Sequence, residues 1–193
     1  TIDKYKVTTF FAPPTVWISL LRHKDFDKHG FSSLKKGYYG ASIMPVEVLK
    51  ELQNRLPNCQ GFYNYYGQTE LSPYHTILTP DYQISKAGSA GIGGLNMETA
   101  LEDVDAQVIT EPGIPGEICG RGPHVMMCYF KDPGKTEEVM VNGRFHSGDI
   151  GILDGDNFIT VVDRKKDMIK TGGENVPSRE VEEVIYQHPD VSE

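Results

Sequence analysis

The chain has 193 residues, 38% of them hydrophobic, a mean hydropathy of -0.39 and a formal net charge of -8. This length suits one domain or two small ones, the acidic balance argues against a nucleic-acid-binding surface, and no apolar run approaches the roughly 20 residues of a membrane-spanning helix. The first residues lack the basic and apolar pattern of a secretory signal, and Cys59, Cys119 and Cys128 are odd in number, widely spaced and form no CxxC pattern, so a reducing, cytoplasmic setting is expected. An acidic chain must hold an anionic ligand by local devices: single Lys or Arg side chains, backbone N–H groups or a metal ion.

In chain order, Tyr5 to Phe11 is rich in β-branched and aromatic residues and predicts a strand. Pro13-Pro14 suits a helix start, with Val16, Trp17, Leu20 and Leu21 at helical spacing. Leu34 to Tyr39 reads as a short strand, Pro45 opens a second helix with Val48, Leu49 and Leu52 on one face, and Gln60 to Tyr65 reads as a third strand. This βαβαβ rhythm predicts a parallel sheet flanked by helices. From Pro80 to Val162 short β-prone runs (106–110, 117–119, 151–153, 158–162) alternate with turn chemistry such as Glu-Pro-Gly at 111–113 and Asp-Gly-Asp-Asn at 154–157. That texture fits a small antiparallel barrel or a pair of sheets. After Asp163, residues Ser178 to Tyr186 predict an amphipathic helix with Val181, Val184 and Ile185 on one side. The fold class expected is α/β in three parts: a parallel-sheet portion over 1–79, a barrel subdomain over 80–163, and a hinge with one helix over 164–193.

Three short stretches carry chemistry. Tyr65-Tyr66-Gly67-Gln68-Thr69-Glu70 follows a predicted strand, where ligands of open α/β sheets sit. An aromatic there can stack on a base, Gly67 permits close backbone approach, Thr69 offers a hydroxyl to a phosphate, and Glu70 offers a hard oxygen for Mg²⁺. As plain structure the same six residues are a strand end with a polar turn. Phe145-His146-Ser147-Gly148-Asp149 places a carboxylate beside a glycine turn, able to accept hydrogen bonds from ribose hydroxyls or to serve only as a hairpin Asp. His146 is open to two readings, a base or a packed histidine. Arg164, Lys165, Lys166 and Lys170, interleaved with Asp163 and Asp167 and followed by Gly172-Gly173, form either a solvated charged turn or a phosphate-facing hinge. Residues 88–94, Gly-Ser-Ala-Gly-Ile-Gly-Gly, do not have GxGxxG spacing, and the chain holds no GxxxxGK[ST], HExxH or GxSxG.

In this order and spacing the stretches 65–70, 145–149 and 163–175 resemble the adenylate-forming superfamily of acyl-CoA synthetases, aryl-CoA ligases, luciferases and peptide-synthetase adenylation domains. The resemblance covers nearly the whole chain and leans toward fatty acyl-CoA synthetases. It implies that Tyr66 stacks on adenine, Thr69 contacts the α-phosphate, Glu70 helps to hold Mg²⁺, and Asp149 binds the ribose hydroxyls with Arg164 assisting. Tyr39-Gly40-Ala41 is similar to the family's Gly-Gly-Ala turn lining the adenine and acyl pocket, with Tyr39 in place of the first glycine. Lys166 falls at the hinge, Lys170 where related ligases place a residue acting in the thioester conformation, and Gly172 and Gly173 in the coenzyme A channel loop. Residues 117–122 and 127–130 resemble barrel segments, with Cys128 where a glycine is usual. The implied cofactors and substrates are ATP/AMP, Mg²⁺, coenzyme A and a small-molecule carboxylic acid, and the implied motion is rotation of a mobile α+β C-terminal domain about Lys166. Aryl acids, a carrier-protein thiol as acceptor, and a catalytically inert nucleotide-binding or interaction module stay open as alternatives. Because the family's Ser/Thr/Gly-rich phosphate loop and its C-terminal adenylation lysine are not in this sequence, an internal fragment with exposed apolar surface, prone to self-association and inactive alone, is expected.

Overall fold

The computed structural model describes residues 1–171 and 174–185 and contains two compact units, Thr1–Leu95 and Asn96–Glu193. In the first unit the strand expected over Tyr5–Phe11 is split. A turn of helix, α1 (Ile2–Tyr5), ends where Lys6 takes a left-handed conformation, φ 53, and its amide bonds the Ile2 carbonyl. β1 (Thr9–Phe11) follows. α2 (Pro14–Arg22) opens on a proline, whose missing amide costs nothing in a first helical turn. β2 (Lys36–Gly40), α3 (Val46–Arg55) and β3 (Phe62–Tyr66) complete the expected rhythm.

β1, β2 and β3 pair in parallel, with Tyr38 opposite Tyr63 and Gly40 opposite Tyr65. β4 (Thr76–Leu78) and β5 (Ile92–Gly93) extend this sheet antiparallel, in the order β1-β2-β3-β4-β5. The first compact unit runs to Leu95, past the boundary expected at 79/80, because β4 pairs with β3 and β5 pairs with β4, which keeps the intervening segment in the first sheet.

Trp17 and Leu21 of α2 and Val48, Leu49 and Leu52 of α3 are buried against the sheet, as their spacing predicts. Leu20 packs partly against this core, and Val16 faces outward. Trp17 meets Phe10 and Phe62 edge to face, with ring centroids 5.0 and 5.1 Å away, and its Nε1 donates to the Tyr38 carbonyl at 3.0 Å.

The second unit contains β6 (Glu98–Glu102), β7 (Val108–Ile109), β8 (Gly116–Arg121), α4 (Pro133–Val139), β9 (Met140–Val141), β10 (Arg144–Leu153) and β11 (Ile159–Arg164). Its strands run in the order β11-β10-β8-β6-β7, with β9 paired to β10. Among the described residues this is an open sheet, so the expected barrel is not seen closed. β7 pairs over two residues only, and β7 and β11 are the two edges of this order. Leu101, Ile118, Phe145 and Ile159 are buried in this unit.

A hairpin, β12 (Ile169–Thr171) with β13 (Glu174–Val176), leads to α5 (Ser178–Ile185), all within the second unit. Residues 164–185 fall within the second compact unit, and Tyr186, the expected helix end, lies outside the described residues. Val181, Val184 and Ile185 are exposed, in line with the apolar surface expected there.

Asp163, near the end of β11, caps α5 from outside the helix. Its carboxylate accepts from the Ser178 amide and, at 3.2 Å, from the Ser178 hydroxyl. Asp163→Ala is expected to cost about 0.5–2 kcal/mol of local stability, the usual penalty for losing an N-terminal cap. Hydrogen exchange reads it: faster exchange of the first α5 amides is expected, and unchanged protection would show that the cap contributes nothing.

Candidate functional site

In the first unit the sequence-predicted residues gather at the carboxyl ends of β2 and β3, the place where parallel strands present ligands. Gly40 is paired with Tyr65, so the 39–41 turn lies beside the 65–70 segment. Ala41 has φ 70, an uncommon left-handed conformation for a residue with a side chain. Tyr39 itself turns away. Its side chain is buried, its hydroxyl donates to Gln83 Oε1, and burial pushes its pKa up despite that hydrogen bond. A ligand beside this turn would therefore meet the backbone of Tyr39, not its phenol.

β3 ends at Tyr66, whose ring stacks on the His75 imidazole at 5.8 Å, while its carbonyl accepts from the His75 amide at 2.9 Å. Gly67 follows. A Cβ there would lie 2.0 Å from the Pro73 carbonyl oxygen, so the close approach that demands glycine is to this chain itself. A tight turn over Thr69–Leu71 is anchored by fully buried Leu71, leaving Thr69 exposed and Glu70 half-buried. Glu70 offers one hard carboxylate. This fits Mg²⁺, which takes one or two carboxylates and fills its octahedron with waters and substrate phosphates.

Tyr38 stacks on Tyr63 with centroids 5.0 Å apart and also meets Tyr65, which in turn meets Tyr74. These rings form an aromatic ladder across β2 and β3. Phe10 does not belong to it and packs against Trp17, and Phe11 is exposed.

In the second unit the ladder between β10 and β8 skips from His146 to Ile150, a bulge that takes residues 147–149 out of pairing with β8. Gly148 turns the chain at φ 75, a conformation glycine adopts without a Cβ penalty. Asp149 then faces Arg164 across the β10–β11 pair, with Oδ1 3.5 Å from Nε. The Ser147 hydroxyl accepts from the Asp149 amide at 3.1 Å. The two residues assigned to ribose are thus brought together, with Arg164 exposed and Asp149 mostly covered.

Lys166 sits exposed in a turn closed by the Asp167 and Met168 amides on the Arg164 carbonyl. Lys170 lies in β12 opposite Asn175, and Gly172 and Gly173 lie outside the described residues.

Beneath Asp149 is a buried charge cluster that the sequence does not announce. His146 Nδ1 is 3.1 Å from Glu117 Oε2, and His146 Nε2 is 3.3 Å from Glu102 Oε2. Arg144 Nη1 donates to Glu102 Oε1 at 3.1 Å, and Lys165 Nζ donates to Glu117 Oε2 at 2.7 Å. Of the two readings of His146, the packed one is the one this geometry favours. Glu102, Cys119 and His146 bring ligand atoms within 4.8 Å of one another. The Arg144 guanidinium on Glu102 opposes a cation there, as does the Cys119 thiol, pushed up by burial and by the charges of Glu102 and Glu117.

Burial alone would raise the Glu117 carboxyl. Hydrogen bonds from Lys165, His146 and the Gly148 amide outweigh it and hold the group below its ordinary value of 4.5. A carboxyl depressed by folding stabilises the fold fully above its ordinary value, and that contribution is lost as pH falls through the folded value. Acidification below about pH 4.5 is therefore expected to destabilise the second unit, and Glu117→Gln to flatten that acid limb. Urea midpoints measured between pH 6 and pH 3 check this; identical acid limbs in the two proteins would remove Glu117 from the account.

A family model described as AMP-binding enzyme matches residues 1–130. The chain is 39% identical over 193 residues to a long-chain-fatty-acid–CoA ligase of Escherichia coli O157:H7, covering 100% of this chain and 34% of the ligase. It is 36% identical over 191 residues to a feruloyl-CoA synthase of Amycolatopsis sp, covering 98% of this chain and 38% of the synthase. It superposes with a TM-score of 0.83, at 34% identity, on O-succinylbenzoate coenzyme A synthetase from Bacillus subtilis in complex with ATP and magnesium ion, over 100% of this chain and 39% of that one. The chain thus spans about a third of the length of the curated relatives it matches.

Proposed function

The chain belongs to the AMP-binding enzyme family, and from that membership we propose that it is part of an AMP-forming acyl-CoA synthetase. The reaction has two steps. A carboxylate oxygen of the acid attacks the α-phosphorus of ATP, and the bond to pyrophosphate breaks, giving acyl-adenylate. The thiol of coenzyme A then attacks the acyl carbon, loses its proton, and AMP leaves. The work asked of the protein is positioning and charge stabilisation.

The observation that carries this reading is the Asp149–Arg164 pair, set face to face by the β10 bulge in a chain that aligns along its whole length with a fatty-acid–CoA ligase. Asp149 accepts hydrogen bonds from both ribose hydroxyls, and Arg164 donates beside it. In the first unit Tyr66 offers a ring face to adenine, the Gly40–Ala41 backbone borders the acyl and adenine pocket, and Gly67 supports the turn. Thr69 donates its hydroxyl to the α-phosphate. Glu70 holds Mg²⁺, which supplies charge neutralisation at the phosphates. Lys166 is the hinge, Lys170 and the Gly172-Gly173 loop serve the thioester step, and coenzyme A is the acceptor.

A fatty acid is the leading substrate class, on the identity to the fatty-acid ligase. The tyrosine ladder Tyr38–Tyr63–Tyr65 and the likeness to a feruloyl-CoA synthase favour a second reading, an aryl acid. Acid-dependent ATP–pyrophosphate exchange, run with the native polypeptide that carries these residues and a panel of fatty and aryl acids, tests both. Exchange with fatty acids, followed by thioester formation on adding coenzyme A, is expected. Exchange with aryl acids alone would favour the second reading, and no exchange with any carboxylic acid would defeat the proposal.

A further inference from the structure

We propose that Glu117 is the positioning residue for the Asp149 turn and that, through Lys165, it ties this turn to the chain entering the 166 hinge. The inference rests on the ribose assignment of Asp149.

The argument is a closed ring of hydrogen bonds. The Gly148 amide donates to Glu117 Oε1 at 3.0 Å, the Gly148 carbonyl accepts from the Lys165 amide at 2.8 Å, and Lys165 Nζ donates to Glu117 Oε2 at 2.7 Å. Both polar groups of Gly148 are thereby occupied, directly before the carboxylate that must be aimed. The bulge takes residues 147–149 out of the β8 ladder, so these part-buried groups find their partners in Glu117 and Lys165 and not in a β8 rung. Glu117 sits on β8 itself, so its side chain substitutes for the missing rung.

The ring has a stiff side and a labile side. Glu117 is buried and braced by His146, which Glu102 faces in turn. A buried carboxylate with such partners does not readily leave them. The Lys165 side chain is 58% exposed, so water can replace its bond to Glu117 at little cost. Lys165 immediately precedes Lys166. Rotation of the backbone there would draw both the Lys165 ammonium and the Lys165 amide away from the ring and loosen the Asp149 turn. The ring is thus a latch that holds the ribose carboxylate in place while the chain at 164–167 keeps the conformation described, and relaxes it when that chain turns.

The test is AMP affinity by titration calorimetry in the native polypeptide, for the unsubstituted protein and for Glu117→Gln, Lys165→Met, Lys165→Arg, the Glu117→Gln/Lys165→Met double variant, and Asp149→Ala. Glu117→Gln keeps the shape but loses the charged acceptor, and should weaken AMP about tenfold. Lys165→Met should weaken it about threefold, and Lys165→Arg should restore it to within about twofold, because a guanidinium can also donate to the carboxylate. The double variant should be no weaker than Glu117→Gln by more than about twofold, since both changes open one ring.

AMP affinity unchanged in Glu117→Gln and Lys165→Met but lost in Asp149→Ala would overturn the inference and leave the ribose reading standing. Affinity unchanged in Asp149→Ala, or no AMP binding by the unsubstituted protein, would remove the ribose reading and the inference with it. If Glu117→Gln does not fold, the Lys165 pair decides: a weak Met variant rescued by Arg supports the latch, whereas a Met variant equal to the unsubstituted protein, or an Arg variant as weak as Met, overturns it.

Discussion

Asp149→Ala is expected to weaken AMP binding by about 100-fold or more. A hydrogen bond to a charged acceptor is worth about 1.5–3 kcal/mol, and on the proposed assignment the Asp149 carboxylate accepts one from each ribose hydroxyl. Losing both costs at least about 3 kcal/mol, and each 1.4 kcal/mol is tenfold in affinity. The carboxylate is mostly covered, so bulk water does not easily take over its role. Asp149→Asn, which keeps the shape and one acceptor oxygen, should fall between the alanine variant and the unsubstituted protein. Calorimetric titration with AMP checks the pair. A change below about threefold in the alanine variant would mean that this residue does not hold the ribose.

Trp17→Ala is expected to be the most damaging single change to the first unit, at about 3–5 kcal/mol, the range for truncating a buried aromatic. Trp17 is 1% exposed, packs edge to face on Phe10 and Phe62, and donates to the Tyr38 carbonyl of β2. Its removal leaves a cavity between α2 and the sheet and takes one of two donors from the Tyr38 carbonyl, which still accepts from the Ala12 amide at 3.1 Å. Set against a typical total of about 5–15 kcal/mol, this is enough to leave the unit marginal. Trp17→Phe keeps most of the volume and loses chiefly the Nε1 donor, so it should cost only about 1–2 kcal/mol. Because Trp17 is the single tryptophan of the chain, urea unfolding is followed by circular dichroism and not by its fluorescence. A loss below about 1 kcal/mol in the alanine variant would show that the core closes around the gap.

The unequal legibility of the sequence has a physical pattern. α2 and α3 were readable because burial imposes a local period, and Trp17, Leu21, Val48, Leu49 and Leu52 repeat it within one segment. Tyr5 misled, because strand propensity outvoted a left-handed stop at Lys6 that no composition rule anticipates. β6 was missed for a different reason. Glu-Thr-Ala-Leu-Glu at 98–102 looks polar, yet Glu102 is buried because Arg144 and His146 arrive from β10 to pair with it.

By itself the sequence determined the chemical groups available: an aromatic, a hydroxyl and a carboxylate after β3, and a carboxylate and a guanidinium near the later turns. It also carried family membership, through short motifs whose order survives in a linear string. Only the tertiary structure decided that Tyr39 faces inward, that Gly67 is glycine because of Pro73, and that Asp149 is aimed at Arg164 by a bulge whose Gly148 is held by Glu117 and Lys165. The reason is one of range. Helical spacing is set by neighbours a turn away, whereas strand register, bulges and the pairing of buried charges are set by residues remote in the chain, which meet only when the sheet has formed.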